Sequence, residues 1–263
     1  MSNMLIITLA VMLVCLFLKV PVFISILAGS LIYFVMNPDV SMTLFAQRMI
    51  VGTQSLSLLA IPFFVCSGVL MNYSGVTRRL IRFCEAVTGR MNGGLAQVNV
   101  LLSTVMGGLS GSNLADAAME AKLLVPEMER SGYSKSFSSV VTAVSAMITP
   151  LIPPGIALIL YGFLANISIG KLFAAGMSVG LLLCVSLMIF VSVISKKRGY
   201  LPIRTERMTP KAFGAAIKPA VLPLCLPVLI IGGIRVGIFT ATEAGSAAVI
   251  FSLVLGFLYH EIK

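Results

Sequence analysis

Long apolar stretches with almost no charged residues dominate the sequence. Residues 172–194 and 217–234 are the clearest, and shorter stretches recur between residues 5 and 258. A helix needs about 18 to 20 such residues to cross the hydrocarbon core of a bilayer. Only 11% of the 263 residues are charged and 58% are hydrophobic, whereas soluble domains carry about 25% charged residues. The chain has too little polar surface for water, and we predict an all-α polytopic membrane protein.

The positive charge lies in the loops between these stretches. The net charge is +10, which in a soluble protein would suggest a nucleic-acid partner. If residues 95–128 return to the side on which they start and the other spans alternate, 16 Lys and Arg residues, including Lys263, gather on one side. Arg48, Lys171 and Arg235 remain on the other. The positive-inside rule explains this bias, so we predict a multi-pass protein of the bacterial inner membrane, bound to the bilayer and not to nucleic acid.

The remaining composition gives no sign of a resident cofactor. The five cysteines are scattered through apolar segments, with no metal-ligand or redox spacing. The apolar start of the chain has no basic flank or cleavage motif, so we expect no removable signal peptide. We predict no organic cofactor and no catalytic residue.

The first part of the chain predicts helices of several kinds. Residues 5–18 and 22–36 are either two short helices or one long helix kinked at Pro21. Residues 56–71 form a span. Between 76 and 87, apolar residues recur at helical spacing opposite a face with three arginines, which predicts an amphipathic helix on the membrane surface.

Two later segments place irregular backbone in the middle of the membrane. Residues 95–106 are apolar but only half a bilayer long, and a Gly/Ser tip separates them from a second helical stretch, 114–128. This pattern predicts a re-entrant hairpin whose tip, 107–116, lines a cavity or is buried in protein. The next helix is broken near 145–155, where Pro153 and Pro154 remove two backbone donors.

Paired mid-membrane breaks are the sequence pointer to the binding site of a secondary transporter. Unwound backbone frees carbonyl oxygens, which suit Na⁺, and half-helix N-termini suit an anion. Hydroxyl and amide groups stand there without net charge, on Ser110, Ser112, Asn113, Ser145 and Thr149. Asp116 either supports the ion site or caps the returning helix.

At these residues the sequence resembles one family. Residues 108–118 (GLSGSNLADAA) look like the hairpin of the large membrane subunit of tripartite ATP-independent periplasmic (TRAP) transporters, the DctM-like family. Residues 149–155 (TPLIPPG), followed by Tyr161-Gly162, match its broken helix, and residues 237–244 (GIFTATEA) resemble another of its segments. The motifs stand in the right order at plausible separations, and the resemblance extends over essentially the whole chain.

The resemblance implies a mechanism and partners. Such subunits import an organic acid anion by Na⁺ symport with an elevator movement. They receive the anion from a periplasmic binding protein and pair with a small four-helix membrane subunit. C4-dicarboxylates, sialic acid and keto acids are all plausible substrates.

The resemblance also assigns roles by position. The expected Na⁺ ligands, partly through backbone oxygens, are Ser110, Asn113, Ser145, Ile148 and Pro150. The expected substrate contacts are Ser112, Asn113 and Thr149, with Asp116, Pro153, Pro154 and Gly155 in support. The implied regions are scaffold helices 1–75, an arm helix 76–90, half a transport domain 91–165 (hairpin 92–130, broken helix 136–164) and scaffold helices 166–263.

In one respect the sequence departs from the family pattern. Family members carry a second, inverted repeat with another hairpin and another Pro-Pro break, and nothing after Glu243 repeats either motif. We therefore expect a C-terminally truncated chain that lacks half of the substrate site and a second Na⁺ site, and that does not transport alone.

Other readings remain open at this point. A sodium/dicarboxylate symporter of the same superfamily, working without a binding protein, shares the hairpin chemistry. A channel is disfavoured because a broken helix facing a hairpin suits occluded binding. An intramembrane serine protease is a remote alternative, since residues 108–111 fit its G-x-S-G motif. The serine of that motif, Ser110, would need a general base to activate it, and the candidate bases, His260 and Lys122, are distant in the sequence.

Overall fold

The structure is a computed structural model that describes the backbone of residues 2–261 and the side chains of residues 4–261. Ile262 and Lys263, assigned above to the scaffold and, for Lys263, to the basic side, lie outside the described residues. The helices are α1 (Ser2–Phe17), α2 (Val22–Met36), α3 (Met42–Thr53), α4 (Leu56–Tyr73), α5 (Val76–Thr88), α6 (Gly94–Ser110), α7 (Asn113–Leu123), α8 (Val125–Arg130), α9 (Lys135–Ser145), α10 (Ile156–Leu164), α11 (Ile169–Arg198), α12 (Pro210–Val236) and α13 (Ala241–Leu258), with a 3₁₀ turn at Thr149–Leu151.

Several of these helices are suited to cross a bilayer. Among the described residues, α4, α11, α12 and α13 are long and apolar enough. The pair formed by α9 with the 3₁₀ turn and α10 adds a fifth crossing if it is one broken span, bent by 46°. No strand occurs in the described part of the chain. The prediction of an all-α polytopic membrane protein is confirmed.

Contacts divide the chain into two units, one ending at Ser55 and the other beginning at Leu56. In the first unit, α1 and α2 are separate helices that fold back on each other, so the alternative of one long kinked helix is wrong. Gly29 of α2 lies against the backbone of Thr8 on α1, close enough that a Cβ would come within 3.2 Å of its carbonyl oxygen. Helix α3 was not predicted from the sequence; its N-cap Ser41 accepts a hydrogen bond from the Leu44 N–H.

In the second unit, α4 packs along α13, and α6 and α12 lie beside them. The Ser67 hydroxyl of α4 lies 2.8 Å from that of Ser252 on α13. Gly245 of α13 lets the two helices approach, since a Cβ there would meet Phe63 at 3.0 Å. This pair supports one side of the hairpin described below.

The amphipathic helix is confirmed as α5, but its apolar face contacts protein. Val76, Leu80 and Cys84 are buried in one cluster with residues of α6 and α12. The expectation that this face lies on lipid is therefore wrong for these three residues. A period of 3.6 identifies the apolar face of a helix but not its partner.

The hairpin is more regular than the sequence indicates. Helix α6 continues through Gly107 and Gly108 to Ser110, and only Gly111 and Ser112 lie outside the two helices. The predicted irregular tip, 107–116, is thus too long. Glycine lowers helix propensity, yet tertiary packing keeps these two in the helix because each faces a close neighbour.

The remaining long helices begin and end with recognisable caps. Ser168 caps α11, whose last turn carries Lys196, Lys197 and Arg198 before Gly199. Basic residues at a helix C-terminus interact favourably with its dipole. A capping box between Thr240 and Glu243 opens α13. This places Glu243 in a structural role at the helix end.

Candidate functional site

The tip of the hairpin meets the broken helix. Gly111 adopts φ +61°, and a Cβ there would overlap the carbonyl oxygen of Pro154. The Ile156 N–H, at the start of α10, donates to the Gly111 carbonyl at 3.5 Å. Only glycine combines this backbone conformation with so close an approach. The two segments that the sequence predicted to lie in mid-membrane are in direct contact.

Glycines also bring the hairpin close to its neighbours along α6. A Cβ on Gly107 would lie 2.8 Å from the Cα and the carbonyl oxygen of Thr149. On another side, a Cβ on Gly68 of α4 would lie 2.9 Å from the Cα of Ser110. Backbone therefore packs on backbone at both faces, as small residues allow between membrane helices.

The broken helix leaves carbonyl groups without partners. Helix α9 ends at Ser145, the 3₁₀ turn follows, and the chain is extended from Ile152 to Gly155, with a cis bond between Pro153 and Pro154. Within the described part of the chain, no hydrogen bond is donated to the carbonyl oxygens of residues 149–154. Free carbonyl oxygens of this kind are ligands that Na⁺ accepts.

Two helix N-termini lie at the same place. The Ser112 side chain makes no capping hydrogen bond at the start of α7, and Gly155 has no side chain to cap α10. At the start of α7 the Asn113 side chain is exposed, as is Leu114 at 79%. Uncapped N–H groups with the positive end of the helix dipole favour an anion.

The predicted Na⁺ ligands fall into different environments. Ser110 is buried and its hydroxyl donates to Asp116 Oδ2 at 2.5 Å. Ser145 is buried and its hydroxyl donates to Asn99 Oδ1 on α6 at 3.0 Å. Ile148 is buried, Pro150 is half-buried and Asn113 is exposed. Hydrogen bonds link Ser110 and Ser145 to the hairpin, and neither is bonded to the other.

The predicted substrate residues also differ in exposure. Ser112 is half-buried at the tip, where its N–H donates to the Ser110 hydroxyl at 3.3 Å. Thr149 is fully buried, and its hydroxyl donates to the Ser103 carbonyl at 3.3 Å. Ser112 and the exposed Asn113 thus lie on accessible surface, whereas Thr149 faces the hairpin.

Asp116 ties the tip of the hairpin together. It is buried, and its carboxyl has the hydroxyls of Ser110 and Thr149 as neighbours. Its side chain accepts no backbone N–H among the described hydrogen bonds, so it does not cap α7. The capping role considered for it is therefore not observed, and its role at an ion site stays a prediction.

Sequence reasoning missed a buried polar set between α6, α7 and α9. Asn99 Nδ2 donates to the Thr142 hydroxyl at 2.7 Å, and the Ser103 hydroxyl lies 2.6 Å from Glu120 Oε2. A signal was present, because Asn99 and Ser103 share one face of α6 and Asp116 and Glu120 share one face of α7 at a spacing of four. The sequence does not show how α6 and α7 are aligned, and that alignment decides which of these polar faces meet.

The comparisons with known proteins decide the family. The model of the tripartite ATP-independent periplasmic transporter, DctM component, matches residues 9–263. The chain belongs to this family. Its members are transport proteins and not enzymes. Membership and the apolar helices place the chain in the bacterial inner membrane.

Curated relatives agree. The sialic acid TRAP transporter large permease protein of Vibrio cholerae is 40% identical over 92% of this chain and 56% of its own length. The sialic acid TRAP transporter permease protein of Haemophilus influenzae is 38% identical over 99% of this chain and 42% of its own. The C4-dicarboxylate TRAP transporter large permease protein of Pseudomonas aeruginosa is 36% identical over 90% of this chain and 55% of its own length. The chain spans about half the length of these relatives.

Proposed function

We propose that this chain supplies the hairpin and broken-helix part of a permease that imports an organic acid anion by Na⁺ symport. The observation that carries the proposal is the contact between Gly111 at the hairpin tip and the unwound residues 152–155. That contact places free carbonyl oxygens beside two helix N-termini. One place in the fold thus offers ligands for a cation and for an anion.

The cation half of the site uses uncharged oxygens. The candidate ligands are the carbonyl groups of residues 149–154, which include Pro150, and the hydroxyls of Ser110 and Ser145. Asn113 and Ile148 are further candidate ligands. Sodium is a hard cation that accepts such oxygens.

The anion half uses the tip. Ser112 and Asn113 are the accessible polar residues at the N-terminus of α7, where the helix dipole favours a carboxylate. Thr149 reaches the substrate only if the hairpin separates from the broken helix, because its hydroxyl is bonded to the Ser103 carbonyl. Pro153, Pro154 and Gly155 hold the broken backbone open.

The substrate class follows from the relatives. Those named above carry sialic acid or C4-dicarboxylates in their names, and another relative is a 2,3-diketo-L-gulonate permease. All are organic acid anions. We propose that this chain belongs to a permease for one of them, which receives it from a periplasmic binding protein and pairs with a small four-helix membrane subunit.

The proposal includes an elevator movement. Residues 91–165 would be half of the mobile transport domain, 76–90 its arm, and 1–75 and 166–263 scaffold. The hairpin and the broken helix contact each other through Gly107, Gly111 and Thr149.

Uptake by the intact transporter that contains this chain tests the proposal. The permease is reconstituted in liposomes with its small subunit and binding protein, and uptake of labelled sialic acid, a C4-dicarboxylate and 2,3-diketo-L-gulonate is measured. One of them is expected to accumulate with an inward Na⁺ gradient and to stop when K⁺ replaces Na⁺. Uptake that ignores this exchange contradicts Na⁺ coupling. Uptake without the binding protein would favour the symporter that works alone.

A matched pair of variants tests the anion half. Ser112→Ala removes one hydroxyl at the tip, and Ser136→Ala removes one from the exposed surface of α9. A hydrogen bond to a charged group contributes about 1.5 to 3 kcal/mol, so Ser112→Ala is expected to weaken uptake by about tenfold or more. Ser136→Ala is expected to leave it unchanged. Equal uptake by the two variants would remove Ser112 from the site.

A further inference from the structure

Glu120 lies inside the hairpin with no exposed surface. Its Oε2 lies 2.6 Å from the hydroxyl of Ser103, which is equally buried on α6. Its Oε1 is buried and has no hydrogen-bond partner among residues 4–261. A buried carboxylate with one neutral partner and one orphaned oxygen is a costly arrangement for a negative charge.

No cation among the described side chains is paired with Glu120. The elements that pack most closely on α7 are α6, α8, α9 and the 3₁₀ turn. Neither α6 nor the 3₁₀ turn contains a titratable residue. The charged residues of α8 and α9 are all exposed, as is Lys122 on α7 itself: they are Glu127, Glu129, Arg130 and Lys135.

The acidic group beside Glu120 is Asp116, one turn earlier on α7. Helix α5 places the neutral Cys84 thiol nearby, and its charged residues Arg78, Arg79, Arg82 and Glu85 make no ion pair with Glu120 among the described residues. None of the three ion pairs among the described residues includes Glu120. An ionised Asp116 therefore adds to the cost of a charge at this position.

The Ser103 hydroxyl shows how a proton would be held. It lies 3.2 Å from the Asn99 carbonyl and 2.6 Å from Glu120 Oε2, yet one hydroxyl carries a single proton. If that proton goes to Asn99, the contact with Glu120 needs a proton from the carboxyl. A neutral Glu120 donates from Oε2 to Ser103 Oγ, and Ser103 donates to Asn99. Both contacts are then hydrogen bonds.

We propose that Glu120 and Ser103 form a proton-binding site inside the hairpin, separate from the Na⁺ site and occupied at neutral pH. The bound species is one proton: a hydronium ion gives it up, the O–H bond to Oε2 of the carboxylate forms, and a neutral water molecule leaves. The neutral acid leaves Oε1 as an unpaired carbonyl oxygen, which costs less than an unpaired anionic oxygen. The site does not depend on which ion drives transport.

Infrared spectroscopy of the full chain in lipid nanodiscs tests the proposal. A protonated carboxylic acid has a carbonyl stretch that a carboxylate lacks. We expect this band in the wild-type chain at neutral pH, where an exposed glutamate, with an ordinary pKa of about 4.3, is ionised. Biosynthetic labelling with ¹³C-carboxyl glutamate should shift the band, whereas labelling aspartate should not shift that component. Absence of a glutamate-shifted band at neutral pH overturns the proposal.

Variants assign the band to one residue. Glu120→Gln is expected to remove the glutamate component, and Glu127→Gln, a matched change at an exposed position of α8, is expected to retain it. Ser103→Ala should move the band to the frequency of a less strongly hydrogen-bonded acid. A band unchanged in Glu120→Gln overturns the assignment. If Glu120→Gln fails to fold, the ¹³C shift and the Ser103→Ala shift still decide it.

Discussion

Two hairpins of short helices, α1–α2 and α6–α7, have opposite chemistry. Each has one turn residue with φ near +60°, Lys19 in the first and Gly111 in the second. In α1–α2 the exposed surface is apolar, with Leu13 49% and Phe17 86% exposed. In α6–α7 many polar side chains are buried, among them Asn99, Ser103, Asp116 and Glu120, and point between the helices or at their neighbours.

The difference shows what each hairpin needs around it. The buried Ser25 hydroxyl of α2 bonds only to backbone oxygens of the same hairpin, whereas that of Ser103 reaches a carboxyl across the hairpin. Lipid is a sufficient solvent for the apolar surface of α1–α2. The α6–α7 hairpin holds carboxyl groups that need hydroxyl partners and close protein neighbours.

The turn residues give the largest expected contrast. Gly111→Ala places a Cβ against the Pro154 carbonyl oxygen and puts an alanine in the left-handed region of φ. Strain of about 1 to 2 kcal/mol and overpacking of about 1 to 3 kcal/mol should lower the free energy of unfolding by about 2 to 5 kcal/mol. Lys19→Ala, at a similar φ that already carries a side chain, should change it by less than about 0.5 kcal/mol. Unfolding in detergent measures both.

A variant at Gly132 separates the backbone strain of a positive φ from the steric collision of the added Cβ. Gly132 has φ +88°, and a Cβ added there would have no atom within 4 Å, so Gly132→Ala adds strain alone and should cost about 1 to 2 kcal/mol. If Gly111→Ala costs no more than Gly132→Ala, the hairpin tip is not pressed against the broken helix.

The buried serines give the next contrast. Ser103→Ala leaves the carboxyl of Glu120 without its partner and should lower the free energy of unfolding by about 1 to 3 kcal/mol. Ser25→Ala removes a hydroxyl that is equally buried but bonds only backbone oxygens, and should cost less than about 1 kcal/mol. The same unfolding assay checks both, and equal losses would contradict the special role of the hairpin interior.

The outer surface of α1–α2 gives the smallest effect. Leu13→Ala removes apolar atoms from a half-exposed position, and lipid tails are as apolar as leucine, so the free energy of unfolding should change by about 0.5 kcal/mol or less. A loss as large as that of Ser103→Ala would mean that this surface packs on protein.

Much of the site could be predicted from local sequence. The break at Pro153 and Pro154, the hairpin turn near Gly111 and the amphipathic pattern of α5 all follow from proline, glycine and helical spacing, which act within a few residues. The family followed from the motifs around them. The end of α6 was misplaced, because the low helix propensity of Gly107 is overridden by packing on Thr149.

The sequence by itself determined that the chain is a helical membrane protein whose helices are interrupted at two places in mid-membrane. It assigned the residues of the ion and anion sites only through the family resemblance. Only the tertiary structure decided that α5 packs on protein, that Thr149 is bonded to the Ser103 carbonyl, and that Glu120 meets Ser103. The last two pairs are separated by 46 and 17 residues. Helical periodicity states which face a side chain occupies, but the register between helices is set by packing over the whole unit.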